Sequence, residues 1–147
     1  MLIYLAAAYP RHPEMRRYRD QLEAMGHKIT SRWIEGEEIE ADDGTVEAIA
    51  RVKPRTLERF AKTDIEDIDK ATCMISFTDG TLARGGRHAE FGYALATGLQ
   101  LVVVGPREHV FHHMPEVEHF ETWEAAVRFF ERQGAIRAMA SLVESQL

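Results

Sequence analysis

The sequence has one cysteine in 147 residues, so no internal disulfide can form. That residue, Cys73, lies in the apolar run Cys73-Met74-Ile75-Ser76-Phe77 and is expected in the core rather than as a nucleophile. Basic charge is not in excess: 18 Lys and Arg stand against 24 Asp and Glu, for a net charge of −6. This excludes broad, sequence-independent binding to a nucleic-acid polymer, which needs a basic surface. It leaves room for a small phosphorylated ligand held by a few arginines. No apolar run has the length of a membrane span; the first, Leu2 to Ala8, is too short and lacks a cleavage-site context. The expectation is a cytoplasmic protein with no membrane partner. Neither G-x-x-x-x-G-K-[ST] nor G-x-G-x-x-G occurs, so neither a P-loop nor the dinucleotide fingerprint is supported. There is no repeat and no linker, and the chain is expected to form a single domain over residues 1–147.

Strand-like and helix-like segments alternate. Leu2 to Ala8 reads as a buried strand closed by Tyr9-Pro10. A helix is predicted from Pro13 to Met25, ending at Gly26, then a second strand over Lys28 to Trp33. Gly36 to Gly44 is acidic and aperiodic, and reads as a solvated loop. Pro54 opens a helix to about Ala71, and Leu101 to Val104 is another strand. The stretch from Gly105 to Phe120 reads as a long loop. Thr122 caps a helix, and a last helix runs from about Ala135 to Glu144. Such alternation implies a parallel sheet covered on both faces.

The segment between the third and fourth strands carries the chemistry. Arg84-Gly85-Gly86-Arg87-His88-Ala89-Glu90 places a glycine-basic loop at the start of a helix, with Glu90 expected in its first turn. A helix start attracts anions, and the carboxyl end of a strand in an open α/β sheet is a common site of chemistry. Glu90 is either a catalytic carboxylate held ionised by the helix N-terminus or a plain helix-stabilising acid. Gly85-Gly86 is either a backbone nest for an oxyanion or a tight turn. On the helix from Pro54, Asp64 shares the apolar stripe of Leu57, Phe60, Ala61, Ile65 and Ile68, while Glu66, Asp67 and Asp69 fall nearer the polar side. A carboxylate there needs a partner, a task or a route to solvent. Two carboxylates facing one pocket suit cleavage of a glycosidic bond.

Two metal-like patterns carry less. His88-Ala89-Glu90 matches the H-x-E of zinc deaminases, which also need two cysteines. His109, His112, His113 and His119 lie in a loop without helical ligand spacing, which favours a solvated or interface cluster over a metal site. No metal or other cofactor is expected.

The chain resembles the nucleoside 2-deoxyribosyltransferase family in Ile3-Tyr4-Leu5-Ala6-Ala7, in Asp64-Ile65-Glu66-Asp67-Ile68, and in Gly86 to Ala96 with its core Glu90-Phe91-Gly92-Tyr93-Ala94-Leu95. Val103 to His113 looks like a subgroup of that family. The resemblance covers Met1 to about Ala126. It implies an α/β fold, a flavodoxin-like three-layer sandwich with a five-stranded parallel sheet. It implies that Glu90 is the nucleophile, that Asp64 contacts the leaving base, and that Tyr4 stands beside the nucleophile. It further implies cleavage of the N-glycosidic bond of a 2-deoxynucleoside through a covalent deoxyribosyl-enzyme, with the sugar passed to another base or to water. The transferases carry a second aspartate before the nucleophile, and Asp79 is the candidate for that place. Arg84 and Arg87 resemble features of the related deoxynucleoside 5′-monophosphate N-glycosidases, where they and Gly85-Gly86 would hold a phosphate; the plainer reading is surface charge or pairing with loop acids. The expected partners are a nucleoside or nucleotide and further copies of the chain, a homo-oligomer to which Phe111, Met114 and Phe120 contribute. A binding module that senses a nucleotide without turnover is the reading from another class.

Overall fold

The computed structural model describes residues 1–36, 45–80 and 85–147. Leu2–Ala6 forms β1, with four of its five side chains buried, as an apolar run in a doubly covered sheet requires. Four further strands, β2 (Lys28–Ile29), β3 (Cys73–Phe77), β4 (Gln100–Val104) and β5 (Val117–Phe120), complete a five-stranded sheet in the order β2-β1-β3-β4-β5. Every neighbouring pair is parallel. The helices are α1 (His12–Ala24), α2 (Val46–Ala50), α3 (Pro54–Lys70), α4 (Gly86–Ala96) and α5 (Trp123–Ser145). This is the expected flavodoxin-like α/β sandwich, and its strand order reverses between β1 and β3, where such sheets open a crevice at their carboxyl ends.

The two faces can be told apart from side-chain alternation. Phe77 stacks with Tyr18 of α1 and packs against Trp123 of α5, so Cys73, Ile75 and Phe77 face those helices. Met74 and Ser76 point the other way. Tyr4 and Ala6 lie opposite them in register, under α3 and α4. Cys73 is fully buried, and burial pushes its thiol up to about 12, as expected of a core residue. Among the described residues, no helix is long and apolar enough to cross a membrane.

Several expected boundaries move, each for a tertiary reason. The second strand stops at Ile29, and Arg32–Glu35 is a 3-10 helix. Ser31 Oγ accepts the Leu5 N–H (2.6 Å), the Trp33 indole donates back to the Leu5 carbonyl (2.8 Å), and Asp67 accepts the Arg32 N–H (2.9 Å). Side chains thus replace the ladder and turn the chain. Asp67, expected on the polar side of α3, is buried at 1% exposure because Arg32 also gives it Nε (2.8 Å). Ile65, expected on the apolar stripe, is 38% exposed. The Gly105–Phe120 stretch is not one long loop: it holds a 3-10 helix, Val110–His113, and the fifth strand. The two expected C-terminal helices are one continuous helix through Gly134, capped by the Thr122 hydroxyl accepting the Ala125 N–H. The expected acidic loop falls largely in residues 37–44, outside the described residues.

Candidate active site

Three elements on one face of the sheet bring Tyr4, Asp64 and Glu90 together. Tyr4 comes from the middle of β1 and is fully buried. Asp64 comes from α3 and Glu90 from α4, both partly buried. Glu90 is the fifth residue of α4, because the helix starts at Gly86 after a left-handed Gly85 (φ 109°). It therefore sits in the second turn, not the first. The helix N-terminus does not keep its charge. Burial, and after it the negative charge of Asp64, push the Glu90 carboxyl up to about 8. Tyr4 hydrogen bonding and the Arg87 charge oppose that rise without cancelling it. Burial together with the charges of Glu90 and Asp64 holds the Tyr4 phenol well above its ordinary range, so Tyr4 keeps its proton. The hydroxyl faces Glu90 but falls short of a well-formed hydrogen bond, and has no other partner among the described residues.

Ser76 is a further polar group on this face. It is fully buried, and its Oγ has no hydrogen-bond partner among the described residues. A hydroxyl so placed is costly unless something fills its valence. A serine inside an otherwise apolar strand was its signal in the sequence. Tyr93, three residues after Glu90, donates its hydroxyl to Asp69 of α3 (2.5 Å), tying the helices that carry the two carboxylates.

The other expected site residues are placed differently. Asp79 follows β3 and accepts Arg11 Nη1 at both its carbonyl (2.6 Å) and Oδ1 (3.0 Å). Arg11 also pairs with Glu14 (2.9 Å) and lies over the Phe77 ring. It thereby ties the segment after β1 to the end of β3, across the crevice. Arg87 is 4% exposed and paired with Glu108 through Nη1 (2.6 Å), which is the loop-acid pairing. Burial alone would raise Glu108; hydrogen bonding and charge from Arg87 more than reverse this, and its carboxyl lies below the ordinary range. Gly85 supplies the left-handed turn, and among the described residues no side chain caps α4, so Gly85 and Gly86 leave its first N–H groups to other acceptors. Arg84 lies outside the described residues.

The expected histidine cluster is partly assembled. His109 and His112 rings lie 3.7 Å apart, and His88, from α4, joins them at 5.0 Å from His109. His112 Nδ1 accepts the Glu108 N–H (3.0 Å). Burial, then the neighbouring His109, push His112 down to about 4, so this ring is neutral. His119 stands apart with Nε2 on the Gly105 carbonyl (2.7 Å), and His113 is exposed. Among the described residues, no group of three or more His, Cys, Asp or Glu is placed to hold a metal ion.

The architecture matches two solved enzymes. The CMP N-glycosidase BcmB of Clostridium botulinum aligns with a TM-score of 0.58 and 16% identity, over 89% of this chain and 99% of that one. A 2-deoxyribosyltransferase from Bacillus psychrosaccharolyticus aligns with a TM-score of 0.59 and 17% identity, over 86% of this chain and 90% of that one. The fold is that of a deoxyribosyltransferase. No family model and no curated protein match the sequence. Both alignments cover more than four fifths of this chain.

Proposed function

We propose that this protein cleaves the N-glycosidic bond of a 2-deoxynucleoside by a retaining, covalent mechanism through Glu90 and transfers the sugar to another base. The observation that carries the reading is the grouping of Glu90, Asp64 and a protonated Tyr4 on one face of the sheet. Two carboxyl groups that repel each other this strongly titrate as a pair. The reaction needs the charge on Glu90 and the proton on Asp64. The Glu90 carboxylate attacks C1′, the C1′–N bond breaks, and its electron pair leaves with the base as Asp64 hands over its proton. An acceptor base then attacks C1′, displaces Glu90 and returns a proton to Asp64. Tyr4, kept neutral by its surroundings, donates toward Glu90 and favours its charged form.

Hydrolysis of a deoxynucleoside 5′-monophosphate is the second reading, supported by the uncapped start of α4 and by the CMP N-glycosidase among the structural neighbours. The commitment of Arg87 to Glu108 favours the first, because it removes one of the two cations offered for a phosphate. The non-catalytic sensor is disfavoured, since ligand recognition alone gives no reason to press two carboxylates together. Incubation with deoxynucleosides and their monophosphates, with and without a free acceptor base and followed by chromatography, tests the proposal. Base exchange on nucleosides supports it; release of base from monophosphates alone, with no transfer, replaces it with the second reading. An unchanged substrate after long incubation leaves the sensor.

A further inference from the structure

The segment between β4 and β5 is held down by a side chain that can be charged. Over residues 106–116, His112 alone is buried, at 1% exposure; His109 and Met114 are partly buried and the rest are exposed. The anchor of such a crossing segment is ordinarily apolar. Here it is an imidazole, set edge-on to Phe91 of α4 with 4.8 Å between ring centres, and 3.7 Å from the His109 ring. Beside it, the Arg87–Glu108 ion pair and the His88–His109 ring contact join the same segment to α4.

One hydrogen bond fixes the proton on this ring. Nδ1 accepts the Glu108 N–H (3.0 Å), so the proton of the neutral ring is on Nε2, which has no hydrogen-bond partner among the described residues. A second proton must go to Nδ1. It turns an acceptor into a donor that faces a donor, and the bond to Glu108 is lost. The surroundings give the new cation little support. Glu108 and His109 act on it from its own segment, and Arg87 and His88 from α4. Glu108 is the one anion of these four, and it already pairs with Arg87. Arg107, His113 and Glu116 of the segment are exposed. β5 packs against Val110–His113 too, but its Glu118 is exposed and its His119 rests on the Gly105 carbonyl.

We infer that His112 makes the β4–β5 segment an acid-released latch: a proton on this ring expels it from its place against Phe91 and lifts residues 108–113 off the start of α4. The two ends stay in place, because Gly105 and Val117 are buried. Opening takes Glu108 away from Arg87 and uncovers the first turn of the helix that carries Glu90. Burial, then His109, push the closed-state value of His112 from 6.5 down to about 4. The closed form therefore has its full advantage above pH 6.5 and loses it as pH falls toward 4. Between pH 7 and pH 5, opening becomes roughly twentyfold more favourable for this one group. Glu108 is not the trigger, since its carboxyl lies below the ordinary range and stays ionised at pH 5. The latch is independent of the catalytic reading, because it follows from the ring's own contacts.

Hydrogen exchange of the full chain at pH 7 and pH 5, read by mass spectrometry and corrected for the intrinsic exchange rate, tests this directly. The amides of Glu108, His112 and Met114 all donate within the segment. Peptides covering residues 108–114 should lose protection by roughly tenfold or more at pH 5, while peptides from β3 and β4 keep theirs. His112→Asn keeps an acceptor for the Glu108 N–H, and His112→Phe keeps a ring; neither can be charged, so each should reduce the pH 5 loss to a few-fold at most. His113→Asn, at the exposed neighbour, should keep the wild-type loss. Equal protection of the wild-type segment at the two pH values overturns the inference. So does a loss shared by β3 and β4, or a wild-type loss retained by His112→Asn or His112→Phe. The wild-type comparison decides even where both variants fold poorly. Base release and transfer are not read in this experiment, so its failure says nothing against the proposed activity.

Discussion

Asp64 and Glu90 stand on neighbouring helices and repel each other: burial, and next to it the Asp64 charge, push the Glu90 carboxyl up to about 8. A nucleophile must be ionised. The proposed reaction uses the pair with Glu90 ionised and one proton on Asp64, so the rate at low substrate should hold through neutral pH and fall as pH rises through about 8, where the pair loses that last proton. A profile already flat from pH 5 to 9 would show that Glu90 ionisation does not control the reaction.

The neighbours of Glu90 should change that fall in different ways. Asp64→Asn removes both the charge that raises Glu90 and the proton donor, so the rate should drop by about 10²–10⁴-fold and no longer fall as pH rises through 8. Tyr4→Phe removes the phenol O–H that favours the charged form of Glu90, so its fall should shift to higher pH. The full pH profile of kcat/KM for both variants checks this. A fall through pH 8 retained by Asp64→Asn would contradict the arrangement.

Stability should carry the same signature. The folded-state value of Glu90 is raised, so its contribution is fully present below its unfolded value near 4.5 and is lost as pH rises through about 8. Glu90→Gln should then melt higher than wild type at pH 9, by on the order of 5 °C, with the difference fading toward pH 5. Calorimetry at the two pH values decides it; a variant less stable at both would mean Glu90 is not strained by its charge.

Arg87 makes a structural prediction. Its buried pair with Glu108 joins α4 to the segment after β4, and removing one partner leaves a charge with poor solvation. Arg87→Ala should cost about 2–4 kcal/mol in urea unfolding, the lower part of the usual range because Glu108 keeps some solvent contact. It should affect nucleosides and monophosphates alike. A selective rise in KM for monophosphates, with stability unchanged, would show that Arg87 serves a phosphate instead.

The parts of the fold that depend on runs and caps were legible in the sequence. The apolar runs of β1, β3 and β4, the proline start of α3 and the Thr122 cap each carry a local signal that tertiary packing did not override. The grouping of Tyr4, Asp64 and Glu90 was reached by resemblance, since periodicity can place Asp64 on a stripe but cannot bring two helices together. Asp67 was misread because its partner, Arg32, lies 35 residues away and makes a buried carboxylate affordable. The early end of β2 has the same origin, with side chains from β1 and α3 taking over its hydrogen bonds. Met114 and Phe120, expected to seek a partner, pack against the core instead, whereas Phe111 is exposed. The two helices expected after Thr122 are one, and Gly134 stands inside it where the Met25 carbonyl leaves no room for a side chain.

The central claim is that Glu90 forms a bond to the sugar. Rapid acid quenching of the enzyme with a 2-deoxynucleoside, followed by peptide mapping in a mass spectrometer, reads that bond directly. The account predicts a deoxyribosyl increment on the peptide containing Glu90, present during turnover and absent from a folded Glu90→Ala protein that releases no base. Turnover with the Glu90 peptide unmodified at every time point, or near-wild-type turnover by Glu90→Ala, would contradict it.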